Sequence, residues 1–145
     1  MHKLQPVPVK DKFIFYFAVA KLSYMKTVVK TKSVYEKPLQ KDGCRVLIDR
    51  LWPRGLTKER VAYNSWVKDL APSTSLRKWY GHAPELWEDF QKRYKAELKT
   101  NDAVEPFVEE HKDDKVITLL YAAKDREHTH ALVLQTYLQH QFDKD

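Results

Sequence analysis

The chain has 145 residues, 43% hydrophobic and 32% charged, a composition typical of one folded globular domain rather than a disordered segment. It contains one cysteine, Cys44, which excludes a disulfide framework and an all-cysteine metal site and leads us to expect a reducing, cytoplasmic location. The net charge of +6 raises the question of nucleic-acid binding, but half of it lies in residues 1–24, so the remaining chain is only mildly basic.

Residues 1–24 differ in character from the rest of the chain. Their apolar stretch, residues 13–20, is shorter than the roughly 20 residues that a membrane-spanning helix needs, so no membrane association is predicted. The basic start and short apolar core also fit a secretory signal, and an additional strand is a third interpretation. Met25 begins "MKTVVKTKSVYEKP", which is typical of an ordinary N-terminus. We therefore interpret residues 1–24 as an N-terminal extension, from a misassigned start or disordered, and residues 25–145 as a single domain.

The sequence of the first half of this domain predicts two strands and two short helices. Residues 27–35 are rich in β-branched side chains and predict the first strand. Residues 44–50 predict the second strand, and their consecutive apolar residues indicate burial on both faces. Thr57 is a suitable N-cap for a short helix that follows it. We expect residues 62–73 to be extended and residues 75–80 to form a short helix.

The second half predicts longer helices around a central strand. Apolar residues recur every three or four positions in 84–99, which predicts a helix with one buried face. A further helix is expected over about 101–111. Residues 115–123 are apolar almost throughout and predict a central buried strand, after which Asp125 is expected to cap a last helix over 126–140. This alternation predicts an α/β fold, a small mostly parallel sheet covered by helices in a single domain.

Charged side chains follow two of the predicted strands directly. Asp49 and Arg50 end the second strand, and Lys124 and Asp125 follow the third. In open α/β sheets, ligands bind beyond the carboxyl ends of parallel strands, where these clusters would meet. Guanidinium groups such as those of Arg50 and Arg54 bind phosphate or carboxylate through paired hydrogen bonds, and helix N-termini add to the attraction. The sequence therefore predicts a small-anion pocket, for a phosphate or carboxylate, at this edge.

Roles within this pocket follow from the chemistry of each side chain. Arg50 and Arg54 would hold the anion, and Asp49 would orient them. His128 or His130 would transfer a proton if its ring sits at the same edge. The candidate catalytic residues are Asp49, His128 and His130. The candidate ligand-binding residues are Arg50, Trp52, Arg54, Lys124 and Asp125.

Other sites receive less support from the sequence. His128 and His130 are two positions apart and would face different sides of a helix, so we predict no metal site. The chain has no P-loop and no G-x-G-x-x-G motif, so no cofactor is identified. A second candidate edge, "WYGHAPELW" at 79–87, places His82 before a helix start, with Arg77 just upstream.

Two further functions are consistent with the same residues. A nucleic-acid interface would use the basic rim, with Trp52 and Trp79 as stacking groups. A non-catalytic interaction module would contain the same charges as a closed ion-pair network that braces the loops. The sequence sets neither the reaction nor the oligomeric state.

Four stretches of the chain resemble the YeaO-like family of small bacterial proteins, within domain-of-unknown-function family 488. They are "RVLIDRLWPRGL" (45–56), "WVKDLAPSTSLRKWYGH" (66–82), "ELWEDFQKRYKAEL" (85–98) and "VITLLYAAKDREHTHALVLQTYL" (116–138). The D-R-L-W-P-R-G block is quite specific, and the resemblance runs in order from Met25 to the end of the chain. It therefore also favours Met25 as the natural start.

The resemblance implies a single cytoplasmic α/β domain without a settled activity. Some members are labelled as MarR-type transcriptional regulators, but this chain has no helix-turn-helix pattern. A distant branch of the wider family has cysteines at the positions of Tyr121 and Thr129, beside a histidine that matches His130. Because both cysteines are missing here, we do not expect the thiol chemistry of that branch to carry over.

Overall fold

The computed structural model describes residues 26–144, in which four strands form one parallel sheet in the order β1-β4-β2-β3. The strands are β1 (Val28–Ser33), β2 (Cys44–Leu47), β3 (Ser65–Trp66) and β4 (Val116–Tyr121). The α-helices are α1 (Lys58–Val61), α2 (Thr74–Tyr80), α3 (Trp87–Lys99), α4 (Val104–His111) and α5 (His130–Asp143). This is the predicted α/β architecture in one domain. The interpretation of residues 1–24 as an extension concerns residues outside the described range.

Strand β4 is the centre of the sheet, as its apolar sequence predicts. It pairs with β1 from Val28 opposite Val116, and with β2 from Cys44 opposite Ile117. Because β2 and β4 are parallel neighbours, their carboxyl ends emerge at the same edge. The expected meeting of the two charged segments at one edge therefore has its structural basis in this pairing.

The two faces of the sheet pack into separate hydrophobic clusters. Along β4, Ile117 and Leu119 contribute to the larger cluster and Leu120 to the smaller one, as the twofold alternation of a strand requires. Helices α2 to α5 cover the larger cluster. The stripe predicted on α3 is buried there at Phe90, Tyr94 and Leu98. The smaller cluster lies beneath α1 and the aromatic side chains of Trp52, Tyr63 and Trp66.

The start of the last helix differs from the prediction. Helix α5 begins at His130, and Thr129 is its N-cap, with Oγ1 accepting from the Ala131 N–H at 3.3 Å. Asp125 instead accepts hydrogen bonds from the Glu127 and His128 N–H groups at 2.9 and 3.1 Å. Both residues can cap a helix, and the intervening loop uses Asp125 for a turn of its own.

Several other strands and helices are shorter than the sequence predicts. Only Ser65–Trp66 of the stretch 62–73 is a strand, and a 3-10 turn follows at Lys68–Leu70. A second 3-10 turn, Pro84–Leu86, precedes α3. Strand β2 ends at Leu47, although the N–H of the next residue, Ile48, still donates to Leu120 O at 3.1 Å. Thr57 caps α1 as predicted, accepting from the Arg60 N–H at 3.2 Å.

Candidate functional site

A cavity of about 850 Å³ opens at the carboxyl ends of β2 and β4. Its walls come from the segment after β2, the segment after β4, and helix α2 with its flanks. The residues predicted from the sequence all line it: Asp49, Arg50, Trp52, Arg54, Lys124, Asp125, His128 and His130. Arg77 and His82, from the second candidate edge, line the same cavity, so the two predicted edges form one site.

Asp49 joins the two strand ends at the base of the cavity. Its Oδ2 accepts a hydrogen bond from the Ala122 N–H at 2.9 Å. Its Oδ1 lies 3.1 Å from His130 Nε2, and both atoms are buried without an aligned hydrogen-bond partner among the described residues. Asp49 is therefore directed toward His130, whereas the sequence hypothesis had it orient the arginines.

Arg50 is positioned by backbone carbonyls instead. Its Nη2 lies 3.3 Å from Pro72 O and 3.5 Å from Ala71 O, at the segment that leads into α2. Its Nε is buried and has no acceptor among the described residues, and the same is true of Arg77 Nε. Because buried N–H groups are almost always paired, two unpaired guanidinium donors in the wall of one cavity are unusual.

His128 is held by Asp125 and by α2. Asp125 Oδ2 lies 2.8 Å from His128 Nδ1, and the Tyr80 hydroxyl donates to His128 O at 2.9 Å. The backbone hydrogen bond from Glu127 and the contact with His128 lower the pKa of Asp125, which keeps this carboxylate charged. Burial, with a contribution from the Asp125 charge, raises the pKa of Tyr80, so its hydroxyl remains a donor. Asp125 thus positions His128 and the loop around it.

The two tryptophans proposed for stacking with bases are engaged within the protein. Trp52 donates from Nε1 to Leu56 O at 2.7 Å, and its ring packs edge-on against Trp66 at 5.4 Å between centroids. The guanidinium of Arg93 lies over the ring of Trp79 at 4.0 Å. Trp52 therefore braces the loop after β2, and Trp79 is partly covered by a cation.

The rim of the cavity is basic. Arg54, Lys78 and Lys124 are exposed and line its opening, and the Tyr35 hydroxyl fixes the backbone near Arg54 by donating to Arg54 O at 2.9 Å. Lys78 was absent from the predicted set, and Arg77 was named only with the second candidate edge. The sequence signal for both residues is the basic pair within "SLRKWY", which forms the C-terminal part of α2.

Fold and site together define a small parallel α/β protein with a basic pocket at the carboxyl edge of its sheet. Residues 28–145 match the family described as the inactive DUF488-N3 subclade. The chain is 38% identical over 111 residues to the uncharacterized protein YeaO of Escherichia coli strain K12, covering 77% of this chain and 96% of YeaO. It is equally identical over 112 residues to the uncharacterized proteins Mb3100c of Mycobacterium bovis and Rv3073c of Mycobacterium tuberculosis, covering 77% of this chain and 94% of each.

The chain belongs to this YeaO-like DUF488 family, which confirms the resemblance of its motifs. A comparison with solved structures finds no match. Across residues 26–144, each helix is too short or too polar to span a membrane.

Proposed function

We propose that this protein binds a small anion, a phosphate or carboxylate, in the cavity between the ends of β2 and β4. The observation that carries the proposal is the pair of buried Nε–H groups of Arg50 and Arg77, which have no acceptor within residues 26–144. An anion in the cavity would supply these acceptors once the two guanidinium groups turn their Nε–H groups toward it. Charge-assisted hydrogen bonds from a guanidinium are roughly twice as strong as neutral ones, and burial strengthens them further.

The balance of charge around the cavity supports an anion rather than a cation. Exposed basic residues form the rim, and the two carboxylates of the site already have partners. Asp49 accepts from Ala122 and faces His130, and Asp125 holds His128. An incoming anion would therefore meet basic side chains at the rim, while the two carboxylates are already engaged in contacts within the protein.

Binding without turnover is the form of this function that we favour. The subclade to which residues 28–145 belong is described as inactive. Tyr121 and Thr129 stand where a distant branch has cysteines, and the Thr129 hydroxyl is occupied in capping α5. His130 and Asp49 then serve to shape and charge the pocket.

The test is a titration of the protein with inorganic phosphate, sulfate, sugar phosphates, nucleotides and carboxylates, measured by calorimetry and thermal shift. Arg50→Gln and Arg77→Gln should each weaken binding about tenfold or more, since a hydrogen bond to a charged group contributes roughly 1.5–3 kcal/mol. Arg60→Gln, an exposed arginine on α1 outside the cavity, is the matched control and should bind normally.

Affinity unchanged in both cavity variants would contradict the proposal, as would a panel in which no anion binds. Short oligonucleotides form a separate arm of the panel. Binding of these alone would favour the nucleic-acid interface, and no binding at all would favour the interaction module.

A further inference from the structure

A second group of chemically reactive side chains lies at the opposite edge of the sheet, where the strands begin. Cys44 is the first residue of β2, His111 is the last residue of α4, and Asp114 lies in the turn that leads to β4. Cys44 Sγ is 3.9 Å from His111 Nδ1, which is 2.7 Å from Asp114 Oδ2. All three ligand atoms lie within 4.8 Å of one another.

The backbone around this group is held firmly in place. Gly43 precedes Cys44 with a φ of +64°, and a Cβ there would lie 2.4 Å from Val116 O, so only glycine allows β2 to begin this close to β4. The Thr27 hydroxyl donates to Asp114 O at 2.6 Å, and the Asp114 N–H donates to His111 O at 3.0 Å. The turn that carries two of the three side chains is therefore tied both to itself and to the start of β1.

We propose that Cys44, His111 and Asp114 form a binding site for a divalent cation of the zinc class. A thiolate sulfur, an imidazole nitrogen and a carboxylate oxygen are all zinc ligands, and three protein ligands leave a fourth tetrahedral position for water. Tetrahedral bonds of about 2.3 Å to sulfur and 2.0–2.1 Å to nitrogen place those two atoms about 3.6 Å apart. The observed 3.9 Å is close to that separation.

The arrangement also allows an ion to enter. The His111 side chain is only 9% exposed and fixed, whereas the Asp114 side chain is 43% exposed. Asp114 Oδ2 lies nearer to His111 Nδ1 than two ligands of one tetrahedral ion would, so it must rotate outward by a fraction of an ångström. Its exposure permits this movement. The ion would take the place of the hydrogen bond between Asp114 and Nδ1, with the imidazole proton on Nε2.

This site was missed by the sequence analysis, which considered only His128 and His130 as metal ligands. Cys44 and His111 are 67 positions apart in the chain. They meet because β2 pairs with β4 from its first residue, Cys44, and because α4 ends only a short turn before β4.

The test uses the full chain, freed of metal with a chelator and titrated with Co²⁺, Cd²⁺ and Zn²⁺. We expect one ion per chain, with a sulfur-to-metal charge-transfer absorption for Co²⁺ and Cd²⁺ that shows a thiolate ligand. Cys44→Ser should abolish this absorption, and Cys44→Ser and Asp114→Asn should weaken Zn²⁺ binding by about 10–100-fold or more, as loss of even supporting contacts does. His140→Gln, an exposed histidine on α5, is the control and should bind as the unaltered chain does.

Circular dichroism of each variant shows whether it folds. Should His111→Gln fail to fold because His111 is buried, the two variants at the less buried Cys44 and Asp114 still decide the outcome. The absence of a charge-transfer band in the unaltered protein would overturn the proposal. Zn²⁺ affinity that is unchanged in both Cys44→Ser and Asp114→Asn would overturn it as well.

Discussion

At the scale of single residues, the two carboxylates Asp49 and Asp125 have different structural roles at one site. Asp49 is largely buried, contacts the end of β4 and faces His130. Asp125 lies at the surface of the loop and organises its turn through two backbone N–H groups and the His128 ring. Among the described residues, neither carboxylate forms an ion pair with Arg50 or Arg77.

The Asp125 turn should make a pH-dependent contribution to stability. Its pKa is lowered from the ordinary value of 3.8, chiefly by the hydrogen bond from Glu127. A carboxyl with a lowered pKa in the folded state stabilises the protein above its unfolded pKa, and this stability is lost as the pH falls through the lowered value. The difference in melting temperature between the unaltered protein and Asp125→Asn should therefore be largest near neutral pH and shrink in acid.

Thermal unfolding followed by circular dichroism between pH 7 and pH 2 measures this difference. Asp102→Asn, at an exposed position away from the cavity, controls for the loss of one negative charge. A difference for Asp125→Asn that stays constant over the whole range would contradict the assigned role.

At the scale of secondary-structure elements, the loop between β4 and α5 decides the shape of the cavity. Its path is set at one end by Asp49, which accepts from Ala122, and in the middle by Tyr80, whose hydroxyl donates to His128 O. Helix α5 begins only after this loop, at His130, and thereby brings that ring to Asp49. The start of α5 is therefore part of the site as well as part of the fold.

The Thr129 cap should contribute measurably to stability. Thr129→Val keeps the shape of this buried side chain and removes the hydroxyl that accepts from Ala131. We expect the free energy of unfolding to fall by about 1 kcal/mol, a typical value for loss of an N-cap. Urea unfolding measures the change. Thr136→Val, at an exposed position within α5, is the matched control and should change stability less; equal losses in the two variants would contradict the capping role.

At the scale of the whole molecule, the sheet separates two chemically different edges. The carboxyl edge carries a basic rim and two arginine Nε–H groups that have no acceptor in the part of the chain that the structure describes. The amino edge carries the sulfur, nitrogen and oxygen atoms of Cys44, His111 and Asp114. Outside residues 1–24 the remaining net charge is small, so the basic character of the cavity is local.

This local charge should give anion binding a shallow dependence on salt. A nucleic-acid interface with 6–10 phosphate contacts would lose about 10³–10⁵ in affinity between 50 and 200 mM salt, whereas a pocket with a few guanidinium donors should lose far less. Calorimetric titration with inorganic phosphate and a short oligonucleotide at several salt concentrations compares the two. Tight oligonucleotide binding whose affinity falls steeply as the salt concentration rises would indicate instead that this edge recognises nucleic acid.

The local pattern of side chains was sufficient to predict much of the fold. The consecutive apolar residues of β4 predicted its central place, and the regular spacing of Phe90, Tyr94 and Leu98 predicted the buried face of α3. Charges directly after β2 and β4 predicted the edge where the cavity lies. These features can be recognised in the sequence because a buried face makes apolar residues recur at the short period of a strand or a helix. Such a repeat is visible within a few residues.

Only the tertiary structure decided which distant residues meet. Asp125 and Thr129 are both good caps, and the hydrogen bonds of the loop selected Thr129 for α5. Arg77 joins Arg50 in one cavity because the segment that leads into α2 contacts the Arg50 guanidinium, and Cys44 meets His111 because β2 pairs with β4. The physical reason is that such convergence depends on the order of strands in the sheet. That order is set by packing among segments far apart in the chain, which no local pattern records.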